Sequence, residues 1–336
     1  MLPPCPILVG RLRSRQSCRP ECVNRSRLIT TKPIPPRPTL QRHITYAILI
    51  AGSALVCYGR LTALATYGMS HDSSSQILLI PFVALYLVWL SRKRIFAVTS
   101  FSMLPGGAVI LAGGILFWIS GRTSLGLPGN EALCLAALSL VLIWTGAFLL
   151  CYGFAAVRAA AFPLLFLLLM IPLPDPILDR IIYLLQQGST AITCLIFRTL
   201  GVPVFRQGFL LTVPGLTIEV AKECSSIRSS IALVITCLIA VHFYLRTWWK
   251  ALLFVLLSLP LSVVKNGIRI ATLTLLSLYV DPSFLRGNLH RDGGFVFFLL
   301  ALLMLWPVLV GLEKSDRRSA QSPSPVGAPS EVLEKG

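Results

Sequence analysis

The sequence predicts an all-α polytopic membrane protein with about eight transmembrane helices, an extracytoplasmic interfacial helix and a small β-hairpin. Composition is the first ground: of 336 residues 55% are apolar and only 13% charged, with mean hydropathy +0.78. A soluble domain carries about a quarter charged residues. Second, stretches such as 131–153 and 294–310 are long and nearly uncharged, the pattern of membrane-spanning helices. Third, the strongest basic clusters fall in loops that a single threading places on one side of a bilayer.

Spans are expected near 44–66, 76–91, 103–120, 131–153, 158–174, 227–245, 251–279 and 294–311. Nine basic residues against one acid in residues 1–42 hold the N-terminus in the cytoplasm. Residues 67–75 contain no Lys or Arg and are assigned outside; Arg92, Lys93 and Arg94 are assigned inside. The turn carrying Arg246, Trp248, Trp249 and Lys250 reads as an interfacial belt on the inner side, and Lys314, Arg317 and Arg318 lie inside again. The loops around 121–130 and 154–158 each hold one Arg and do not discriminate. Three regions follow: a basic, disordered cytoplasmic tail over 1–42, a transmembrane domain over 43–312 and a disordered cytoplasmic tail over 313–336.

Residues 177–200 test the scheme, because a crossing there inverts every later loop. Asp179, Arg180, Gln186, Gln187 and Ser189 make this segment a poor span, so it is expected as an interfacial or re-entrant helix on the outer face. Pro172, Pro174 and Pro176 turn the chain into it. Two β-prone runs, around 204–213 and 216–220, flank the turn dipeptide Pro214-Gly215, which predicts a hairpin outside the membrane.

Charge and cysteine usage exclude other classes. The formal charge of +17 suggests nucleic acid, but its concentration in tails and loops fits membrane topology instead. The nine cysteines form no CxxC pair and no metal-type spacing, so neither a disulfide scaffold nor a metal site is expected. No cofactor is expected either. Most cysteines sit in apolar runs, where the thiol acts as a small hydrophobe. Cys224 differs, lying in VAKECSSIRSS (220–230) with ionisable neighbours on both sides.

Two further costly polar sites accompany it: KNGIR (265–269) inside an apolar segment, and His290 in the loop 280–293. Arg269 is 18 residues past Ala251, about 27 Å up a core of about 30 Å. Cys224, Arg269 and His290 therefore converge in depth at the outer face. A thiol before a helix N-terminus is activated by the helix dipole, and Arg228 one turn on adds to that field. A nearby His exchanges protons near neutral pH, and an Arg stabilises an oxyanion or thiolate. These types together point to attack on a peptide carbonyl. Bland readings stand beside this one: Cys224 as packing, Arg269 or Lys265 reaching to headgroups, His290 as incidental. A transporter with a polar path at Lys265, Asn266 and Arg269, or an acyltransferase using His290 alone, are the competing classes.

The motifs resemble those of the exosortase/archaeosortase family of multipass membrane cysteine transpeptidase-proteases. They are Cys224-Ser225-Ser226-Ile227-Arg228, Asn266-Gly267-Ile268-Arg269-Ile270 and His290-Arg291-Asp292-Gly293-Gly294-Phe295, in that order. HDSSSQILLIPFVALYLVWLSRKR (71–94) and IPLP (171–174) are similar to further family segments, and the resemblance covers about 70–315. Residues 73–76 read Ser-Ser-Ser-Gln where the family has His-Gly, a departure that marks a divergent subtype. The resemblance implies Cys224 as nucleophile, Arg269 as electrostatic stabiliser and His290 as acid/base, with Arg228, Asn266 and Ser225 as substrate-binding or supporting groups. The implied partners are exported proteins ending in a short motif, one transmembrane helix and a basic cluster. The implied place is the cell membrane, with the site on its extracytoplasmic face.

Overall fold

A computed structural model describes residues 40–97, 99–122, 130–221, 227–281 and 294–321. The chain begins with α1 (Leu40–Val56) and α2 (Tyr58–Ser70), then a 3-10 turn (Asp72–Leu78), α3 (Ile80–Leu90) and the short basic α4 (Arg92–Ile95). α5 (Met103–Ser120) and α6 (Glu131–Ala159) pair as an antiparallel hairpin, Gly113 against Ile143 and Gly106 against Leu150. After α7 (Ala161–Phe166) and a second 3-10 turn come α8 (Asp175–Thr199), strands β1 (Phe205–Gln207), β2 (Leu210–Val213) and β3 (Leu216–Glu219), then α9 (Ile227–Tyr244), α10 (Trp248–Tyr279) and α11 (Gly294–Gln321).

Among the described residues five helices (α5, α6, α9, α10 and α11) are long and apolar enough to cross a membrane, or up to seven spans if two bent pairs count as one each. The expected count of eight is not confirmed among the described residues. The expected span 44–66 is the pair α1 and α2, bent by 77°. The expected span 158–174 is only the first limb of a pair whose second limb is α8, bent by 90°. The expected span 76–91 supplies just the eleven residues of α3. At 1.5 Å per residue that is about 16 Å, about half a bilayer core.

Pro172 and Pro174 lie at the 90° bend, as the sequence suggested, because proline cannot continue the helix that precedes it. The orientation of α8 was less obvious. Its buried residues are Gln186, Ser189, Thr190, Thr193, Cys194 and Phe197, while Ile177, Tyr183, Leu184 and Leu195 are exposed. Of the residues that argued against a span, Gln186 and Ser189 turn inward, while Asp179, Arg180 and Gln187 stay on the outward face beside these apolar side chains. Polar side chains inside a membrane protein pack against protein rather than lipid.

The small sheet is three-stranded and antiparallel, in the order β1-β2-β3. The turn at Pro214-Gly215 is where the sequence placed it, with Val213 opposite Leu216. The run 204–213, read as one strand, instead folds back on itself between Gln207 and Leu210. Gly208, at φ 62°, makes this second two-residue turn possible, since a left-handed backbone costs glycine little. Leu211 and Val213 alternate inward and seat the sheet on α8 and α10: Leu211 clusters with Cys194 and Ile270, Val213 with Phe197 and Ala271.

The opposite ends of α9 and α10 are tied to α11. Asp316 accepts the backbone N–H groups of Arg246 (2.8 Å) and Thr247 (3.2 Å) and the Thr247 hydroxyl (2.6 Å), and pairs with Lys250 at 2.8 Å. Lys250 is therefore held within the protein, while Trp248 and Trp249 are exposed. The same contacts carry α11 past residue 312 to Gln321.

Candidate active site

Cys224, Ser225 and His290 lie outside the described residues; Asn266, Arg269 and Arg228 lie within them. The site is therefore built from its walls: α8, the start of α9, the middle of α10 and the end of β3.

α8 and α10 run side by side in the same direction. Gly188 faces Val263, and Gly267 faces Ile192; a Cβ on Gly267 would stand 2.5 Å from Cγ2 and 2.7 Å from Cβ of Ile192. Glycine at both positions lets the backbones approach closely, the usual device for packing helices in a membrane. Closeness brings the polar faces into register. Asn266, 1% exposed, donates its Nδ2–H to Ser189 Oγ at 2.9 Å. Thr193 Oγ1 donates to Ser189 O (2.8 Å) and approaches Gly267 O (3.3 Å). A buried amide in a span is costly unless so satisfied.

Lys265, the preceding residue, points about 100° away around α10 and meets the other wall. It is 1% exposed and its Nζ donates to Ser229 Oγ on the first turn of α9. It does not reach to the headgroups. Arg269 follows one turn later on the same helix and is half-buried, so it sits above the junction where Asn266 grips α8 and Lys265 grips α9. Arg228, expected to share this cluster, is exposed on the first turn of α9.

The strand leading toward Cys224 is fixed from α8. Gln186 Nε2 donates to Val220 O at 2.8 Å, both residues buried, and Val220 N–H bonds to Phe209 O at 3.0 Å. The chain before Cys224 is thus pinned at Val220, and the chain after it enters α9 at Ile227. Gln186, Ser189, Thr193 and Lys265 were not assigned to the site from sequence. A signal for the first three was present: 186, 189, 190 and 193 recur at helical spacing and trace one polar stripe in an otherwise apolar helix.

Below the first turn of α9 lies a cavity of about 590 Å³. Its walls are almost wholly apolar, with Ile227 and Ile231 of α9, Leu185 of α8, Leu169 from the preceding limb, and Pro260 and Val263 of α10. Among the described residues no group of three or more His, Cys, Asp or Glu could hold a metal ion.

The family described as transmembrane exosortase (Exosortase_EpsH) matches residues 64–307. No curated protein and no solved structure matches the chain. The matched range takes in the bent pair that ends in α8, the polar seam of α8 and α10 and the first half of α11, well over half of the sequence, and the protein belongs to the transmembrane exosortase family.

Proposed function

We propose that this exosortase-family membrane protein is a cysteine peptidase/transpeptidase that cleaves C-terminal sorting signals of exported proteins at the extracytoplasmic face of the cell membrane. Cys224 is the nucleophile, Arg269 the oxyanion stabiliser and His290 the acid/base. The observation that carries this reading is the buried anchoring of the KNGIR turn. Asn266 and Lys265 brace α10 against α8 and α9, and Arg269 follows one turn after the lysine that meets the first turn of α9, a helix whose start is three residues past Cys224.

The chemistry runs in two balanced steps. The Cys224 thiolate attacks the carbonyl carbon of the scissile peptide, and Arg269 N–H groups bind the tetrahedral oxyanion. The C–N bond breaks as His290 gives its proton to the leaving amine, which leaves a thioester on Cys224. An acceptor amine or water then gives a proton to His290 and attacks the thioester, expelling the thiolate. Ser225 and Arg228 flank the nucleophile, and Asn266 holds Arg269 in place. The apolar cavity next to Ile227 suits the membrane-embedded stretch that follows the cleavage motif.

The transporter reading draws no comparable support. Lys265 and Asn266 are 1% exposed and bonded to hydroxyls of neighbouring helices, whereas groups on a translocation path face a water-filled cavity. The experiment is processing of a reporter bearing a C-terminal motif, transmembrane helix and basic cluster, in cells making the wild type or Cys224→Ala. The Ala variant should insert normally and process nothing; retained processing would refute the nucleophile assignment.

A further inference from the structure

Among the described residues two lysines are buried, and they are treated differently. Lys250 is matched by the carboxylate of Asp316. Lys265 is the most deeply buried charged side chain among the described residues. Its acceptor is the neutral hydroxyl of Ser229, and the nearest charge on its own helix is another cation, Arg269, one turn away. Among the described residues no carboxylate pairs with it.

A buried ammonium without a carboxylate is costly, and a second cation one turn off adds to the cost. Such an arrangement is stabilised when an anion forms next to it. The reaction proposed above forms two in turn, the Cys224 thiolate and the tetrahedral oxyanion. Ser229 is five residues after Cys224, so at most about 17 Å of extended chain separates them, and any helical winding shortens that. In a dry site fixed charges act more strongly than in water and need not reorganise during the reaction.

We infer that Lys265 is a positioning residue of this reaction: held on Ser229, its ammonium fixes the first turn of α9 and supplies the positive field in which the Cys224 thiolate forms. The inference rests on the cysteine mechanism and adds a residue to it. Lys265 acts through the thiolate and through Ser229, and makes no bond to substrate. Arg269 handles the oxyanion above, and Lys265 holds the floor.

The test uses the full-length protein in detergent and in cells, with Lys265→Met, Lys265→Arg and Ser229→Ala. Three quantities are read: reporter processing, the iodoacetamide alkylation rate of the Cys224 peptide by mass spectrometry, and thermal stability. Met is close in shape to Lys and removes a costly buried charge, so a lysine with no part in the reaction predicts equal or higher stability with activity retained. The inference instead expects Lys265→Met to keep its stability while processing and Cys224 alkylation each fall at least tenfold. Lys265→Arg should recover part of both, and Ser229→Ala should lower processing more than alkylation, because the charge remains. Processing and alkylation within twofold of wild type in Lys265→Met would overturn it. So would losses that track falling thermal stability in all three variants, which assign Lys265 to packing. Cys224→Ala in the same assay separates the two levels: processing retained there sinks the cysteine mechanism itself. Processing lost there but retained in Lys265→Met sinks only the role of Lys265.

Discussion

Replacing Gly267 by alanine tests the close approach of α8 and α10 on which the site depends. The added carbon would lie 2.5 Å from Ile192 Cγ2 and 2.7 Å from its Cβ, where carbon pairs settle at about 3.5 Å. Ile192 is β-branched and its Cβ is fixed to the backbone, so no rotamer relieves the clash. The helices must part by about 1 Å. That movement opens the 2.9 Å Asn266–Ser189 bond to about 3.9 Å, beyond hydrogen-bond reach. Overpacking costs about 1–3 kcal/mol, and loss of a partner by a buried amide about 1–3 kcal/mol more. The better helix propensity of alanine returns about 1 kcal/mol. The net expectation is a loss of about 3 kcal/mol in stability. With Arg269 displaced by a comparable distance, processing should fall roughly a hundredfold. Gly311→Ala is the matched control, since nothing lies within 4 Å of a Cβ there. Thermal stability in detergent and reporter processing in cells are the measurements. If Gly267→Ala is indistinguishable from Gly311→Ala in both, the helices do not approach as described and the reasoning fails.

Arg269→Lys keeps the charge but loses the planar fork of donors; removal of one oxyanion donor costs about 2.7–4 kcal/mol, so processing should drop at least about a hundredfold, as it should in His290→Ala. A fully active Lys variant would assign Arg269 to headgroups rather than to the reaction. Reporter fusions after residue 205 and after residue 320 should read outside and inside respectively, and the reverse at either point refutes the proposed sidedness. Asp316→Ala removes the acceptor of the Arg246 and Thr247 N–H groups and leaves Lys250 without its carboxylate. It should lower the thermal transition by several degrees while sparing Cys224 alkylation, since it lies at the far end of α9 and α10; unchanged stability would contradict the buried pairing.

Much of the molecule was legible without coordinates because a bilayer punishes polar groups so strongly. Apolar runs marked α5, α9 and α10 to within a few residues, and the starts of α6 and α11 though not their ends, since a helix satisfies its own backbone in hydrocarbon. The same penalty singled out KNGIR and the box around Cys224. Prolines announced the bend before α8, and Pro214-Gly215 announced a hairpin. Tertiary structure alone decided the rest. Gln186 and Ser189 looked like reasons for α8 to stay at the membrane surface; they are buried because the Val220 carbonyl takes the Gln186 amide and α10 offers Asn266 to Ser189 where two glycines let the helices touch. Lys265 looked free to reach the headgroups, and Ser229 holds it inside. Lys250 looked like part of an interfacial belt, and Asp316, more than sixty residues on, takes it into the protein. Sequence records the cost of burying each polar group, but the partner that offsets it comes from another helix, and only the packed bundle names that partner.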